Sequence, residues 1–276
     1  MNNTIPISVI VSVKNEEINL TQCLDKLEHF SEVIVVDSMS TDKTPEIVHK
    51  FGYKLINFKW DGKFPKKRNW TLRNIDLKNN WVLFLDADEF LTDPFINEIS
   101  KKILSTKHVG FWINYNNFFM GKEIKYGDKM KKLALFNKCF GEYERIDEDS
   151  WSHLDMEIHE HPILEGSIGK ISAPIIHKDF KGLDHYIQRH NAYSSWEAHR
   201  FLKLKEKSGI INLNKRQIIK YTLLQTGCLP FIYFFVSFFL KLGFLDGFEG
   251  YSLAKFKSNY FFQIQSKVIE LKNKNK

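Results

Sequence analysis

Trp81-Val82-Leu83-Phe84-Leu85-Asp86-Ala87-Asp88-Glu89 is the stretch on which the reading of this chain turns. An unbroken apolar run stops on two carboxylates one residue apart. Such a run reads as a strand buried on both faces. Asp86 and Asp88 at its exit point into a crevice and do not easily find internal cations. A divalent ion resolves that charge, and oxygen ligands suit Mg²⁺ or Mn²⁺, held by one or two carboxylates together with substrate phosphates. The bland alternative is a turn bearing two solvated aspartates. The strand before it and Glu89 after it weigh against that.

The segments upstream repeat the pattern. Ile7 to Val13 is β-branched and buried in character, and Asn15-Glu16-Glu17 opens a helical pattern through Leu20, Cys23, Leu24 and Leu27, with Asn15 as its N-cap. Val33 to Val36 is a second strand ending at Asp37-Ser38, and Thr41-Asp42 starts a helix with Pro45 in its first turn. Tyr53 to Phe58 is a third strand and Lys66 to Leu77 a helix, leading to the strand that ends at Asp86. This alternation implies an α/β fold of parallel strands, right-handed crossovers and helices on both faces. Ligands bind such sheets at the carboxyl ends of the strands. Asn15-Glu16, Asp37-Ser38 and Asp86-Ala87-Asp88 are therefore expected in one crevice. Asp37 stands where a carboxylate commonly accepts hydrogen bonds from a ribose or base, and a turn is its alternative role. Lys66-Lys67-Arg68-Asn69 opens a helix beside the crevice and suits a diphosphate, with Lys66 itself expected on a solvated face.

Beyond Pro94 a helix is expected to about Leu104. Phe111 to Met120 and Leu133 to Asn137 read as strands of a mixed or antiparallel extension, Ile171 to Ile176 as another strand, and Leu183 to Leu204 as a helix. The stretch from Glu142 to His161 is polar and loop-like. Its Glu157, His159, Glu160 and His161 lack the HExxH spacing of a zinc helix, but a carboxylate near a metal–diphosphate can act as a general base. From Tyr221 to Leu240 there is no charged residue, and Phe231 to Leu240 is densely aromatic. Three readings stay open for it: an interfacial or re-entrant membrane segment, a true span, or a core or oligomer-contact helix. The expected organisation is a catalytic domain over residues 1–205 and a helical membrane- or partner-contacting extension over 206–276.

A chain of 276 residues fits one large domain, or a domain with an appendage. Three scattered cysteines argue against a disulfide scaffold and a structural zinc site, and suit a reducing cytoplasm. No signal peptide is apparent at the N-terminus. The net charge of +7 invites anionic partners, yet no nucleic-acid motif is present. GxGxxG, Walker and GxSxG signatures are absent, which disfavours a dinucleotide dehydrogenase, a P-loop NTPase and an elbow-type hydrolase. A haloacid-dehalogenase-type phosphatase also places DxD after a strand. It requires Thr or Val where Phe90 stands and an Asp where Lys132 stands.

Val11-Ser12-Val13-Lys14-Asn15-Glu16-Glu17, Val35-Val36-Asp37-Ser38-Met39-Ser40-Thr41-Asp42, Lys67-Arg68-Asn69 and Leu85-Asp86-Ala87-Asp88-Glu89 together resemble family 2 glycosyltransferases of GT-A fold. Ile158-His159-Glu160, Ile176-His177, His185-Tyr186, Asn191, Tyr193-Ser194 and Gly243-Phe244-Leu245-Asp246-Gly247-Phe248-Glu249-Gly250 resemble a narrower group, bacterial lipopolysaccharide inner-core β-glucosyltransferases. Met39 replaces the usual Gly, and Lys67 the more frequent Gln. The resemblance implies a Rossmann-like, mostly parallel sheet with helices on both faces, followed by an aromatic-rich helical extension. It implies inverting transfer of a hexose from a UDP-sugar to a lipopolysaccharide-core or other glycan or lipid-linked acceptor, at the inner face of the cytoplasmic membrane. Protein or capsular acceptors are the alternative. In site residues it implies Asp37 on the uridine, Val13, Asn15 and Glu16 lining the nucleotide pocket, and Arg68 facing base or diphosphate. Asp86 with Ala87 would lie near ribose and metal, Asp88 on the metal, and His177 as an extra ligand or a diphosphate contact. Glu160 would be the base, with Glu157 as the fallback.

Overall fold

The computed structural model describes residues 4–145, 161–179, 181–206 and 215–274. The chain runs β1 (Ile5–Val13), α1 (Leu20–Leu24), β2 (Phe30–Asp37), α2 (Thr44–Phe51), β3 (Lys54–Asn57), α3 (Lys67–Asn74) and β4 (Trp81–Asp86). Every residue of β1 from Ile7 onward is buried, because alternate side chains enter two cores. Val9, Val11 and Val13 meet Leu20, Leu24 and Phe95 on one face, and Ile10 meets Ile34, Val36, Phe84 and Phe136 on the other. β2 and β4 flank β1 in parallel, and β3 lies outside β2. The register pairs Ser12 with Asp86 and Val13 with Asp37. Both carboxylates thus leave the sheet at one level, at the carboxyl ends of the two strands that flank β1.

Then follow β5 (Glu89–Phe90), α4 (Asp93–Lys102), β6 (Gly110–Phe119), β7 (Lys122–Ile124), β8 (Lys131–Asn137), β9 (Gly141–Tyr143), β10 (Pro162–Leu164), β11 (Ile168–Lys170) and β12 (Ile175–His177). The sheet order is β3-β2-β1-β4-β8-β6-β12-β5, with β7 and β11 on β6 and a separate β9–β10 pair. The β3-to-β4 half is parallel, and β8 turns the sheet antiparallel. Two local expectations change. The strand expected over residues 171–176 forms only as Ile175–His177, because the N–H groups of Ser172 and Ala173 donate to the Glu98 carboxylate at 2.8–3.0 Å instead of to a ladder. Asn15 does not cap α1, which starts at Leu20. Asn15 adopts φ 54° and spends its side-chain oxygen on the Thr41 N–H, 2.8 Å away.

Chain contacts group residues 4–116, 130–145 and 161–179 in one unit, and 117–129, 181–206 and 215–274 in a second. The second unit holds the β7 hairpin and α5 (Leu183–Glu206), α6 (Lys215–Thr226), α7 (Leu229–Phe235) and α8 (Gly247–Lys274), with a π-helical turn over Val236–Leu240. Residue 205, the expected boundary, falls inside it. Ala198, Phe201, Tyr221, Leu224, Leu229, Ile264 and Val268 form its main core. The Gly243-to-Gly250 motif is a packing device here. Buried Asp246 accepts from the N–H groups of Lys125 and Tyr126 at 3.1 and 2.8 Å. A Cβ on Gly250 would lie 2.1 Å from the Gly243 carbonyl oxygen, so only glycine fits. Among the described residues no single helix is long and apolar enough to cross a membrane. Gln217–Thr226 and Leu229–Leu240 reach that length and composition only together, across a bend of 119°.

Candidate active site

The loops leaving β1 and β2 are stitched to each other. The Asn15 N–H donates to Ser40 Oγ and the Glu16 N–H to Thr44 Oγ1, each at 2.8 Å. Asp42 accepts from the N–H groups of Glu17 and Thr44 at 3.1 and 3.0 Å, which holds the end of α2 against the first loop. Asp37 is buried. Its oxygens accept from the Ser40 N–H at 3.1 Å and from Ser40 Oγ at 2.5 Å. The carboxylate of Glu16 accepts from Asn19 Nδ2 at 3.3 Å. Lys67 reaches back with its ammonium to the Val13 carbonyl, 3.3 Å away. Lys66, expected on a solvated face, is instead 1 % exposed. Its ammonium stands 5.0 Å from the centroid of the Trp60 ring, whose π-face replaces part of the lost hydration.

At the exit of β4 the polypeptide folds back at once. The Asp86 N–H donates to Glu89 Oε2 at 3.2 Å, and β5 pairs with β12 so that Glu89 faces His177 across the ladder. The Lys178 N–H donates to the Asp88 carbonyl at 2.9 Å, which fixes the end of β12 to the same turn. Lys132 of β8 donates to Asp86 Oδ2 at 2.7 Å and also binds Glu89 Oε1. Arg68, in the first turn of α3, reaches Asp86 Oδ1 at 3.3 Å, its guanidinium 5.2 Å from the centroid of the Tyr143 ring. The Tyr115 hydroxyl lies 3.5 Å from Glu89 Oε2. Ala87 is buried between the two aspartates.

Asp88 is the exception among these acids. Its Oδ1 is buried and has no hydrogen-bond partner among the described residues, and His177 Nε2 stands 3.7 Å from it. The imidazole packs edge-on to Tyr115, with ring centroids 5.9 Å apart. The electrostatics separate the acids in the same way. Burial opposes ionisation of Asp86, but Lys132 and Arg68 outweigh it and hold the carboxyl well below the usual range. Burial, and then the charges of Asp86 and Glu89, push Asp88 up to about 8. Burial raises Glu89 to about 6, with Lys132 opposing. Burial would lower Lys132, but Asp86 and Glu89 hold its ammonium well above the ordinary range.

Ligand atoms of Asp88, Glu89 and His177 lie within 4.8 Å of one another, as a metal site requires. Glu89 has both oxygens engaged, by Lys132 and by the Asp86 N–H. The Asp88 oxygen, buried and without a hydrogen-bond partner among the described residues, fits a divalent ion, with His177 Nε2 3.7 Å away.

Residues 8–154, just over half of the chain, match the family model described as "Glycosyl transferase family 2". The chain belongs to that family. It is 26 % identical over 251 residues to an uncharacterised glycosyltransferase of Rickettsia typhi, covering 89 % of this chain and 80 % of the relative. It is also 26 % identical over 208 residues to the lipopolysaccharide core biosynthesis glycosyltransferase LpsC of Rhizobium meliloti, covering 70 % and 71 %. Among solved structures, S. aureus TarS 1-349 in complex with UDP-GlcNAc aligns at TM-score 0.46 and 17 % identity, over 96 % of this chain and 88 % of that one.

Val13, Asp37 and Asp86 stand at the ends of β1, β2 and β4; Arg68, in the first turn of α3, reaches Asp86, and His177, at the end of β12, faces Asp88. Asn15 and Glu16 stand in the first loop. Glu157 and Glu160 lie outside the described residues. Sequence reasoning gave Lys132 and Tyr115 no place in the site, and Glu89 a place in the strand-exit motif but no role of its own. Lys132 carried one weak signal: a cation entering the apolar run Leu133 to Phe136. Only the pairing of β8 beside β4 brings it onto Asp86.

Proposed function

We propose that the transferase moves a hexose from a UDP-sugar to a lipopolysaccharide-core or other glycan acceptor, with inversion at the anomeric carbon. The observation that carries this reading is the buried Oδ1 of Asp88, without a hydrogen-bond partner among the described residues, beside His177 at the exit of a central strand in a family 2 chain. Asp88 and His177 would hold Mg²⁺ or Mn²⁺, and diphosphate oxygens would complete the coordination. The ion, when bound, offsets charge growing on the departing nucleoside diphosphate. Asp37 accepts from the uracil or ribose, at the wall lined by Val13, Asn15 and Glu16. Arg68 holds Asp86 ionised and directed at the ribose, with Ala87 leaving room beside it. Glu160 takes the proton from the acceptor hydroxyl as that oxygen attacks, and Glu157 is the fallback for this role. The similarity to LpsC supports the choice of acceptor.

Thermal denaturation with UDP and Mn²⁺ tests the reading. UDP with Mn²⁺ is expected to raise Tm by several degrees, and UDP in EDTA to leave it nearly unchanged. Equal stabilisation in EDTA would remove the metal from the proposal. No stabilisation by UDP, set against a clear shift with another nucleotide, would replace the donor.

A further inference from the structure

The late aromatic segment has no place in the chemistry above, yet it leaves large apolar side chains exposed on the second unit. Phe231, Phe235 and Phe239 follow one another at four-residue spacing through α7 and the π-helical turn, so they share a face, and all three are exposed. Leu240 and Phe248 extend the face, with Phe231, Leu240 and Phe248 exposed to 77 %, 66 % and 67 %. The side chains are braced from behind. Phe239 contacts Phe235 and Phe238 at ring distances of 5.4 and 5.0 Å, and Tyr251 contacts Phe238 and Phe248 at 5.7 and 6.4 Å. An ordered aromatic patch of this extent is rarely left to water.

Charge indicates what covers it. Residues 207–276 hold eleven Lys and Arg against three Asp and Glu, a net +8, whereas the whole chain carries +7. Residues 1–206 therefore carry a net −1, and the excess positive charge lies wholly in the part that bears the patch. Between Glu206 and Asp246 there is no carboxylate at all. Some of these cations are engaged, Lys220 with Glu197 and Lys241 with Asp128, and the excess survives that pairing. A two-fold contact with a second copy would set this charge against itself. An anionic bilayer accepts both features: aromatic rings enter the headgroup–acyl boundary while lysines meet the phosphates.

We infer that the Phe231–Phe239 face, with Leu240 and Phe248, lies on an anionic lipid surface without spanning it, and that this docking is independent of which donor or acceptor the site takes. The test is cosedimentation of the full chain with vesicles of phosphatidylethanolamine containing a quarter phosphatidylglycerol, against vesicles of phosphatidylcholine alone. Most of the protein is expected to pellet with the anionic vesicles, and roughly tenfold less with the neutral ones. A Phe231→Ser/Phe235→Ser/Phe239→Ser variant with unchanged circular dichroism is expected to lose at least about tenfold in partition. Should that variant fail to fold, the single Phe231→Trp variant serves: vesicles should shift its added emission to the blue relative to the unsubstituted chain. Wild-type protein that stays in the supernatant, an unshifted Phe231→Trp, or a dimer in sedimentation velocity that the triple variant converts to monomer would overturn the inference.

Discussion

Asp37 and Asp88 stand at the ends of strands in the same sheet, and both are largely buried, yet they are different chemical objects. Asp37 meets an N–H and a hydroxyl from Ser40, three residues on in its own turn. Asp88 keeps an oxygen with no hydrogen-bond partner among the described residues, next to the His177 imidazole and the Glu89 carboxylate. A satisfied carboxylate is a finished part of the fold that can still present itself to a ligand. A buried unsatisfied one is stable only if it holds a proton or receives a cation. Burial alone does not separate the two cases; the number of donors each carboxylate has collected does.

The strongest way to break this contrast is Asp88→Asn. Transfer should fall by at least ~10³-fold and the Mn²⁺-dependent stabilisation by UDP should vanish, while the metal-free protein melts no lower than the parent. Full activity in a direct transfer assay would end the metal assignment. Lys132→Met comes next. It removes the cation shared by Asp86 and Glu89 and leaves two carboxylates facing each other. Urea denaturation should show a loss of about 3 kcal/mol, at the lower end for a broken buried pair because Lys132 keeps some solvent contact. An unchanged midpoint would mean that the acids relax apart.

Asp37→Asn is expected to be milder. One acceptor oxygen is kept, so stability should drop by about 1–2 kcal/mol. Donor KM should rise while kcat changes little. A collapse of kcat as deep as that of Asp88→Asn would erase the distinction between the two strand ends. The last test is one of pH. With the Asp88 carboxyl raised to about 8 in the folded, metal-free protein, its stabilising contribution is complete below the unfolded value near 4 and is lost as pH rises through 8. The Tm of the parent should therefore fall relative to Asp88→Asn between about pH 5 and pH 9, by roughly 2–4 °C for each 1 kcal/mol. Saturating Mn²⁺ should close that gap. A gap independent of pH would place the neutral form of Asp88 elsewhere.

The fold was legible wherever one local signal sufficed. Unbroken apolar runs ending in polar residues marked β1, β2 and β4, and their alternation with helices implied the parallel half of the sheet. Boundaries failed where a side chain captured backbone donors from a distance. Glu98 does this to residues 172 and 173, and Asn15, a helix cap by local pattern, spends its oxygen on Thr41, 26 residues away. In the site, the acids were visible because DxD at a strand exit is local. Lys132 was not, since its approach to Asp86 depends on β8 lying antiparallel to β4. Lys66 reads as solvated because it stands beside other cations, and only the fold brings it over the Trp60 ring.

By itself the sequence determined which residue types stand at the ends of which strands, because period and turn chemistry act over a few residues. It likewise determined the charge-free aromatic run and the basic bias of the last 70 residues. Only the tertiary structure decided which acid is paired and which is left wanting a cation. Ionisation depends on distance and burial, and both are set by strands brought together from far apart in the chain.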